Sequence, residues 1–134
     1  ALVFATVHPA SVEAFFEEAD RRNLRMIAGK VMMDRNAPEY LMDTVESSYQ
    51  DSKALIQKWH KHNRLLYAVT PRFAVTSSPE QLQQARRLLE EFPDVYLHTH
   101  LSENVDEVAL VAELFPESAG YLDAYDRVGF VRPR

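Results

Sequence analysis

The run LLYAVT, residues 65–70, decides the fold class, because it is apolar almost throughout and shows no alternation with polar residues. A strand with one solvated face alternates, whereas an uninterrupted apolar strand is typical of a sheet buried on both faces. Three other runs share this character: ALVFATV (1–7), RMIAGKVMM (25–33) and VYLHTHL (95–101). The sequence therefore predicts four strands of a parallel sheet.

Between and after these runs, apolar residues recur at intervals of three and four, which is the spacing of a helix with one buried face. Strands that alternate with helices predict right-handed βαβ crossovers and an α/β fold. A further short helix is predicted around residues 120–128. The four predicted stripes are Val12, Phe15, Phe16 and Ala19; Val45, Tyr49, Ile56 and Trp59; Leu82, Ala85, Leu89 and Phe92; and Val105, Val108, Ala109, Ala112 and Phe115.

Three residues mark where helices begin. Asp43, Ser78 and Asn104 each carry a side-chain acceptor, and a glutamate or glutamine follows each of them by three positions. This spacing is typical of an N-cap with a capping box. We therefore expect the second, third and fourth helices to start at these residues.

Composition excludes several classes of protein. The 134 residues carry a formal charge of −5 and contain no cysteine, and 46% of them are hydrophobic. The absence of a basic run argues against nucleic-acid or anionic-membrane partners, and the absence of cysteine removes disulfides and thiolate metal sites. No apolar stretch is long enough to span a membrane. Only three glycines occur, and no G-x-G-x-x-G follows the first strand, which weakens a dinucleotide-binding interpretation.

The two ends of the chain are unusual for a complete domain. The sequence starts inside an apolar run without an initiator methionine and stops at VGFVRPR. We expect residues 1–134 to be a single incomplete domain, an interior slice of a longer polypeptide. The alternative is a complete small domain from which a tag has been trimmed.

Histidines carry the first candidate site. His98 and His100 lie two residues apart in the fourth predicted strand, so they share one face of the sheet, and Glu103 follows just beyond the strand end. Neutral imidazole is the commonest metal ligand, but one pair cannot complete a catalytic zinc site. The alternative is that both histidines fill core positions. His60 and His62, at the end of the second helix, are expected to be solvated.

Arg72 and Phe73 follow the third strand and form the second candidate site. The guanidinium suits a carbonyl or carboxylate edge, and the neighbouring ring could stack on a flat substrate. The alternative is a surface arginine paired with an acid beside a core phenylalanine. Lys30, inside the second strand, is expected to have a structural role, either paired with an acid or extended outward.

Three motifs in order, GKVMMDRN (29–36), TPRFAVTSS (70–78) and HTHLSENVDE (98–107), resemble the guanine deaminases. This family of zinc enzymes within the amidohydrolase superfamily is built on a (β/α)8 barrel. The resemblance covers essentially the whole chain, from barrel strand two to helix five. It implies a partial (β/α)8 TIM-type barrel of four consecutive βα units with parallel strands, and the hydrolysis of guanine to xanthine and ammonia.

The resemblance also implies roles for individual residues. His100 corresponds to a zinc ligand that also contacts substrate, and Glu103 to the catalytic, substrate-contacting glutamate that transfers protons. Arg72 and Phe73 correspond to the pair that holds the guanine ring, whereas His98 matches no ligand position. The resemblance further implies that the complete enzyme binds one zinc ion. Its remaining ligands, an H-x-H pair after strand one, a histidine after strand six and an aspartate after strand eight, lie outside this chain.

Further expectations follow from an incomplete barrel. The segment alone is expected to be inactive, and the complete enzyme to be a cytoplasmic homodimer. Two alternatives stay open: a part of another amidohydrolase that acts on an amino-heterocycle such as a triazine, and a non-catalytic half-barrel that assembles with a partner chain. The apolar residues expected to face the barrel interior are Val3, Ile27, Leu66 and Leu97.

Overall fold

Strands and helices alternate along the chain as predicted. The computed structural model describes residues 1–131, and each predicted strand run and helical stripe contains the expected element. The elements are β1 (Leu2–Phe4), α1 (Pro9–Arg21), β2 (Met26–Gly29), β3 (Val31–Met32), a 3₁₀ turn (Glu39–Leu41), α2 (Val45–Trp59), β4 (Leu65–Pro71), α3 (Pro79–Glu91), β5 (Tyr96–Leu97), α4 (Val105–Leu114) and α5 (Tyr121–Asp126).

The strands form one parallel sheet in which neighbours in sequence are neighbours in space. β1 pairs with β2, β2 with β4, and β4 with β5, all in parallel. β3 continues the line of β2 along β4, so the predicted strand 25–33 is one strand interrupted at Lys30. This order confirms the predicted parallel α/β fold, and it is the strand order of a barrel wall.

The sheet has one face covered by helices and an opposite, inner face. Tyr67 is fully buried on the covered face, where its ring centroid lies 6.5 Å from that of Phe16 in α1. Trp59 of α2 packs on the same phenylalanine at 5.6 Å. Side chains alternate along a strand, so Leu66 and its partner Ile27 lie on the inner face.

The prediction of inner-facing residues is therefore half right. Ile27 and Leu66 face inward, but Val3 and Leu97 pack against the core beneath the helices. The error has a simple cause. A strand that is apolar on both faces carries no alternation from which the direction of each side chain could be read.

A buried ion pair joins the sheet to the loop that leads into α2. Lys30 is 1% exposed, and its ammonium group donates to the carboxylate of Asp43. The same carboxylate accepts from the N–H of Met33 at 3.1 Å and from the amide of Gln81 at 2.8 Å. Burial raises the pKa of Asp43, and Lys30 opposes that rise. The expected structural role of Lys30 is confirmed, and its partner lies on the helix-covered side.

The same ion pair explains why one predicted cap is wrong. Asp43 does not cap α2. Its neighbour Thr44 accepts from the N–H of Ser47 at 3.0 Å, and the Ser47 hydroxyl accepts from the N–H of Thr44 at 3.0 Å. At α3 the prediction is confirmed, because Ser78 accepts from the N–H of Gln81 at 3.1 Å.

Of the predicted fourth stripe Phe115 is buried and the other members are exposed, so the fourth helix buries mainly a different face. Glu107, Val111 and Phe115 are buried, whereas Val105 is 83% exposed. The helix is apolar around most of its circumference, so its periodicity could not select the buried side. Within residues 1–131, no helix is both long and apolar enough to cross a membrane. The exposed members of the predicted stripe are Val105, Val108, Ala109 and Ala112.

His60 also differs from expectation. Its side chain is 7% exposed, and its Nδ1 accepts from the N–H of Tyr67 at 3.0 Å. Burial lowers the pKa of His60, which keeps the ring neutral and able to accept that hydrogen bond. The ring therefore fastens the end of α2 to the start of β4. His62 is half exposed, as predicted.

We predict that Lys30→Met destabilises a full-length protein that contains this segment by about 3–5 kcal/mol, because it leaves the carboxylate of Asp43 buried without its cation. Urea denaturation would measure the loss. Lys61→Met is the matched control, since Lys61 pairs with Asp94 at the surface, and it should leave the midpoint unchanged. Equal midpoints for Lys30→Met and the unmodified protein would show that the buried pair contributes nothing.

Candidate active site

The carboxyl ends of the strands surround a cleft of about 420 Å³ on the inner face of the sheet. Ligand sites of parallel α/β proteins lie at this end of the sheet. The walls of the cleft come from the end of β1, from β3 with the loop that follows it, and from the segments after β4 and β5. The lining residues that matter for its chemistry are Phe4, Met33, Asn36, Arg72 and His100.

His100 is held by the backbone of Arg72. The carbonyl oxygen of Arg72 accepts from the N–H of His100 at 3.1 Å and lies 2.9 Å from its Nδ1. A carbonyl can only accept, so Nδ1 carries the proton and the lone pair of Nε2 is left available. Phe4 packs on the imidazole, with ring centroids 4.4 Å apart. The arrangement fixes both the tautomer and the orientation expected of a metal-binding histidine.

Arg72 and Phe73 lie beside this imidazole, and Arg72 lines the cleft whereas Phe73 does not. The guanidinium carbon of Arg72 is 4.9 Å from the centroid of the Phe73 ring, and that ring is 6.2 Å from His100. Arg72 also contacts the sulfur of Met33 at 3.7 Å. Among residues 1–131 no carboxylate lies within ion-pair distance of Arg72, so its charge is free for a ligand. Of the alternative interpretation, the exposed Arg72 and the core-packed Phe73 are present, but the expected acidic partner of Arg72 is not found within residues 1–131.

His98 shares the inner face with His100 but lies deeper in the sheet. Its N–H donates to the carbonyl of Val69 at 2.9 Å, which continues the pairing of β5 with β4. Its ring centroid is 4.0 Å from that of Phe4, and its Nδ1 is buried without a hydrogen-bond partner. Burial, and secondarily His100, lower the pKa of His98, so the ring is neutral. These features favour the alternative in which the His98 ring is a packing residue on the inner face of the sheet.

Glu103 lies at the turn that follows His100, and its side chain is exposed. It does not line the cleft. The turn includes Ser102 in the left-handed region with a φ of 54°, a conformation that is uncommon for a residue other than glycine. The N–H of Glu103 donates to the carboxylate of Glu107 at 3.2 Å. The backbone of Glu103 is thus bonded to the first turn of α4.

The polar residues after β3 hold loops together. Asp34 accepts from both the N–H and the hydroxyl of Ser78, at the start of α3. Arg35 and Asn36 donate to the carbonyls of Ala74 and Val75, each at 2.8 Å. These bonds join the loop after β3 to the loop after β4, which carries Arg72. These polar residues thus brace the loop that forms one wall of the cleft.

Sequence reasoning missed Phe4 and Met33 as site residues, because both stand in apolar runs that do not show which side chains face inward. At the first strand end, Thr6 and Val7 line the cleft, whereas His8 is exposed and precedes α1 as its N-cap residue. Within residues 1–131, no three histidine, cysteine, aspartate or glutamate side chains are grouped so that they could hold a metal ion. His100 is thus the one assigned metal ligand that these residues bring to the cleft.

Comparison with known proteins agrees with this geometry. The model of the amidohydrolase family matches residues 1–134. The chain is 66% identical to guanine deaminase of Escherichia coli (strain K12) over 129 residues, and 46% identical to a probable guanine deaminase of Deinococcus radiodurans over 134 residues. These matches cover 96% and 100% of this chain, but 29% and 30% of the relatives. The chain therefore spans about 30% of the length of these relatives.

Solved structures agree as well. E. coli guanine deaminase superposes with a TM-score of 0.95 over 96% of this chain and 30% of that structure. Guanine deaminase from C. acetobutylicum with bound guanine in its active site, 33% identical, gives a TM-score of 0.91 over 96% and 30%. The expected partial barrel of consecutive βα units is confirmed. With a family model that matches its whole length, this chain belongs to the amidohydrolase family.

Proposed function

We propose that this chain is part of a zinc-dependent guanine deaminase, which hydrolyses guanine to xanthine and ammonia. The observation that carries the proposal is that Arg72 and His100 line the same cleft and are joined by a backbone hydrogen bond. One backbone carbonyl orients the imidazole, while the guanidinium of the same residue lies on the same cleft without a carboxylate partner. The 66% identity to a guanine deaminase supports the choice of reaction.

The residues present fit a zinc ion in part. Nε2 of His100 offers a lone pair, and its tautomer is fixed by a backbone carbonyl, as is usual for zinc ligands. A catalytic zinc site takes about three protein ligands, so further ligands have to come from outside this chain. When bound, zinc supplies a Lewis acid that lowers the pKa of a water molecule toward neutrality.

Glu103 is assigned the proton transfers of the reaction. Its carboxylate accepts a proton from the attacking water and delivers it to the ring nitrogen next to the carbon under attack. The water oxygen becomes bonded to the carbon that bears the exocyclic amine, and the carbon–nitrogen bond to that amine breaks. The second proton of the water goes through the same carboxylate to the departing ammonia. One water is consumed, and one xanthine and one ammonia leave.

Arg72 and Phe73 are assigned to substrate recognition. A guanidinium only donates hydrogen bonds, so Arg72 would select the carbonyl edge of guanine and disfavour adenine, which has an amino group there. A polar site built for such an edge strongly rejects analogues that lack it. The ring of Phe73 lies beside both Arg72 and His100, where it can pack on a flat base.

Assembly and location stay predictions. The complete enzyme is expected to be a homodimer in the cytoplasm, with guanine as its substrate and with neither nucleic acid nor membrane as a partner. The net charge of −5 supports the last part, since polyanionic surfaces attract basic proteins. Size-exclusion chromatography with light scattering on the full-length protein would measure the subunit number.

The isolated 134-residue chain is expected to show no guanine deamination and to hold zinc weakly, because the proposal assigns it a single ligand, His100. Xanthine formation with added zinc and zinc content after dialysis would measure both properties. One tightly held zinc ion per isolated chain would contradict the ligand assignment.

In a full-length enzyme that contains this segment, Arg72→Ala should lower kcat/KM for guanine and leave zinc content unchanged. Loss of a charged hydrogen bond costs about 1.5–3 kcal/mol, or about one to two orders of magnitude in rate. Arg87→Ala is the matched control, since Arg87 also lies over an aromatic ring, that of Tyr49, but on the outside of α3. An unchanged kcat/KM in Arg72→Ala would remove this residue from the site.

Glu103→Gln should reduce kcat by at least about 10²–10⁴-fold while zinc and fold are kept, because the amide has nearly the same shape but cannot take a proton from water. His100→Ala should lower zinc content as well as rate. Rate, zinc content and melting temperature measured on both variants would separate the two roles. If Glu103 only contributes charge to the start of α4, Glu103→Gln will melt slightly earlier and deaminate guanine at nearly the normal rate.

A further inference from the structure

We propose that Glu107 is a positioning residue that holds the backbone of Glu103 in place for proton transfer. The proposal rests on the proposed function, in which Glu103 carries the protons. Glu107 lies in the first turn of α4 and is buried, although it is charged and the mechanism above gives it no part. Buried carboxylates of this kind require a reason, because removing a charge from water is costly.

The contacts of the Glu107 carboxylate show what it holds. One oxygen accepts from the N–H of Glu103 at 3.2 Å, and the other accepts from the hydroxyl of Tyr121 at 2.6 Å. Burial raises the pKa of Tyr121, so its hydroxyl keeps the proton that it donates. Glu107 itself is fixed in the helix by its N–H, which donates to Asn104 at 2.9 Å. The carboxylate thus links α5 to the turn that carries Glu103.

A second link holds the other side of the same turn. The hydroxyl of Tyr125 donates to the carbonyl of His100 at 2.8 Å and accepts from the N–H of Ala74 at 2.9 Å. Between His100 and Glu103 stands Ser102 in its left-handed conformation. A residue in such a conformation persists where its surroundings fix it on both sides. Tyr125 and Glu107 supply those two fixed points.

This arrangement sets the separation of the two groups that the proposed reaction needs together. His100 and Glu103 come from one continuous turn, so a change in the backbone at Ser102 moves the glutamate relative to the histidine. Proton transfer requires the carboxylate within hydrogen-bond reach of the attacking water, and displacements of about 1 Å are costly for catalysis. Loss of the Glu107 link should therefore lower kcat more than it raises KM.

The test uses a full-length protein that contains this segment. Glu107→Ala and Glu107→Met remove the acceptor, and the methionine keeps the volume filled. Glu107→Gln keeps one acceptor oxygen and serves as the conservative rescue. Asp123→Ala is the matched control, because Asp123 accepts from the N–H of Ala119, four residues earlier, at 2.8 Å, in the same pattern one helix later and away from the cleft. Both kcat and KM for guanine are measured per folded, zinc-loaded chain.

We expect kcat to fall at least tenfold in Glu107→Ala and Glu107→Met, with KM within about threefold and zinc content unchanged, and to recover largely in Glu107→Gln. Asp123→Ala should keep the normal kcat. A normal kcat in Glu107→Met overturns the proposal, and so does an equal loss in Asp123→Ala. If Glu107→Ala does not fold, the comparison of Glu107→Met with Glu107→Gln decides.

A measurement that needs no substrate separates this proposal from the proposed function. Hydrogen exchange of the Glu103 amide should be slow in the unmodified protein and in Asp123→Ala, and fast in Glu107→Met. Unchanged protection in Glu107→Met overturns the link itself. If the unmodified protein does not deaminate guanine, the proposed function fails, whereas the exchange experiment still reports whether Glu107 holds Glu103.

Discussion

The buried pair of Lys30 and Asp43 is the interaction on which the geometry of the cleft depends. The second strand is interrupted at the same lysine, where the N–H of Lys30 donates to the hydroxyl of Tyr67 and not to a strand carbonyl. Asp43 also holds the end of the loop 34–42 against the sheet, because its carboxylate accepts a hydrogen bond from the N–H of Met33. That loop forms a wall of the cleft, and the sulfur of Met33 touches Arg72. A buried charge on the helix-covered face therefore fixes a wall on the inner face.

The type and order of the strands and helices could be predicted from the sequence, but the face on which each strand side chain lies could not. Unbroken apolar runs predicted a parallel sheet. The cap at Ser78 was predicted because a serine directly before a proline is a local signal for the start of a helix. Faces were not predictable, because strands buried on both sides do not alternate. Asp43 was misassigned for a related reason. Locally it resembles a cap, but a lysine 13 residues earlier in the chain determines its partner, and no local pattern contains that information.

The candidate site divides in the same way. Arg72 and His100 could be named as candidates from their positions at strand ends and from the resemblance. Both residues line the cleft. The backbone carbonyl that joins them could not be predicted, since it depends on how two strand ends meet. Glu107 matched the pattern of a capping box, yet its carboxylate turns to Glu103 and Tyr121, and the latter lies 14 residues later. The contacts of Glu107 therefore depend on how α4 packs on α5, which the local sequence does not show.

Stability and chemistry occupy opposite faces of this sheet, and few bonds connect them. The packing of Phe16, Trp59 and Tyr67 lies under the helices, and of the assigned site residues Phe73 alone packs against that core within residues 1–131. The site is connected to that layer through Asp43, through Asp34 at the start of α3, and through Tyr125, whose hydroxyl bonds to the loops after both β4 and β5. Neither Asp43 nor Asp34 nor Tyr125 lines the cleft, so these connections set the position of the walls without placing a further charge in it. The guanidinium of Arg72 and the imidazole of His100 are thus groups that a ligand entering the cleft would meet.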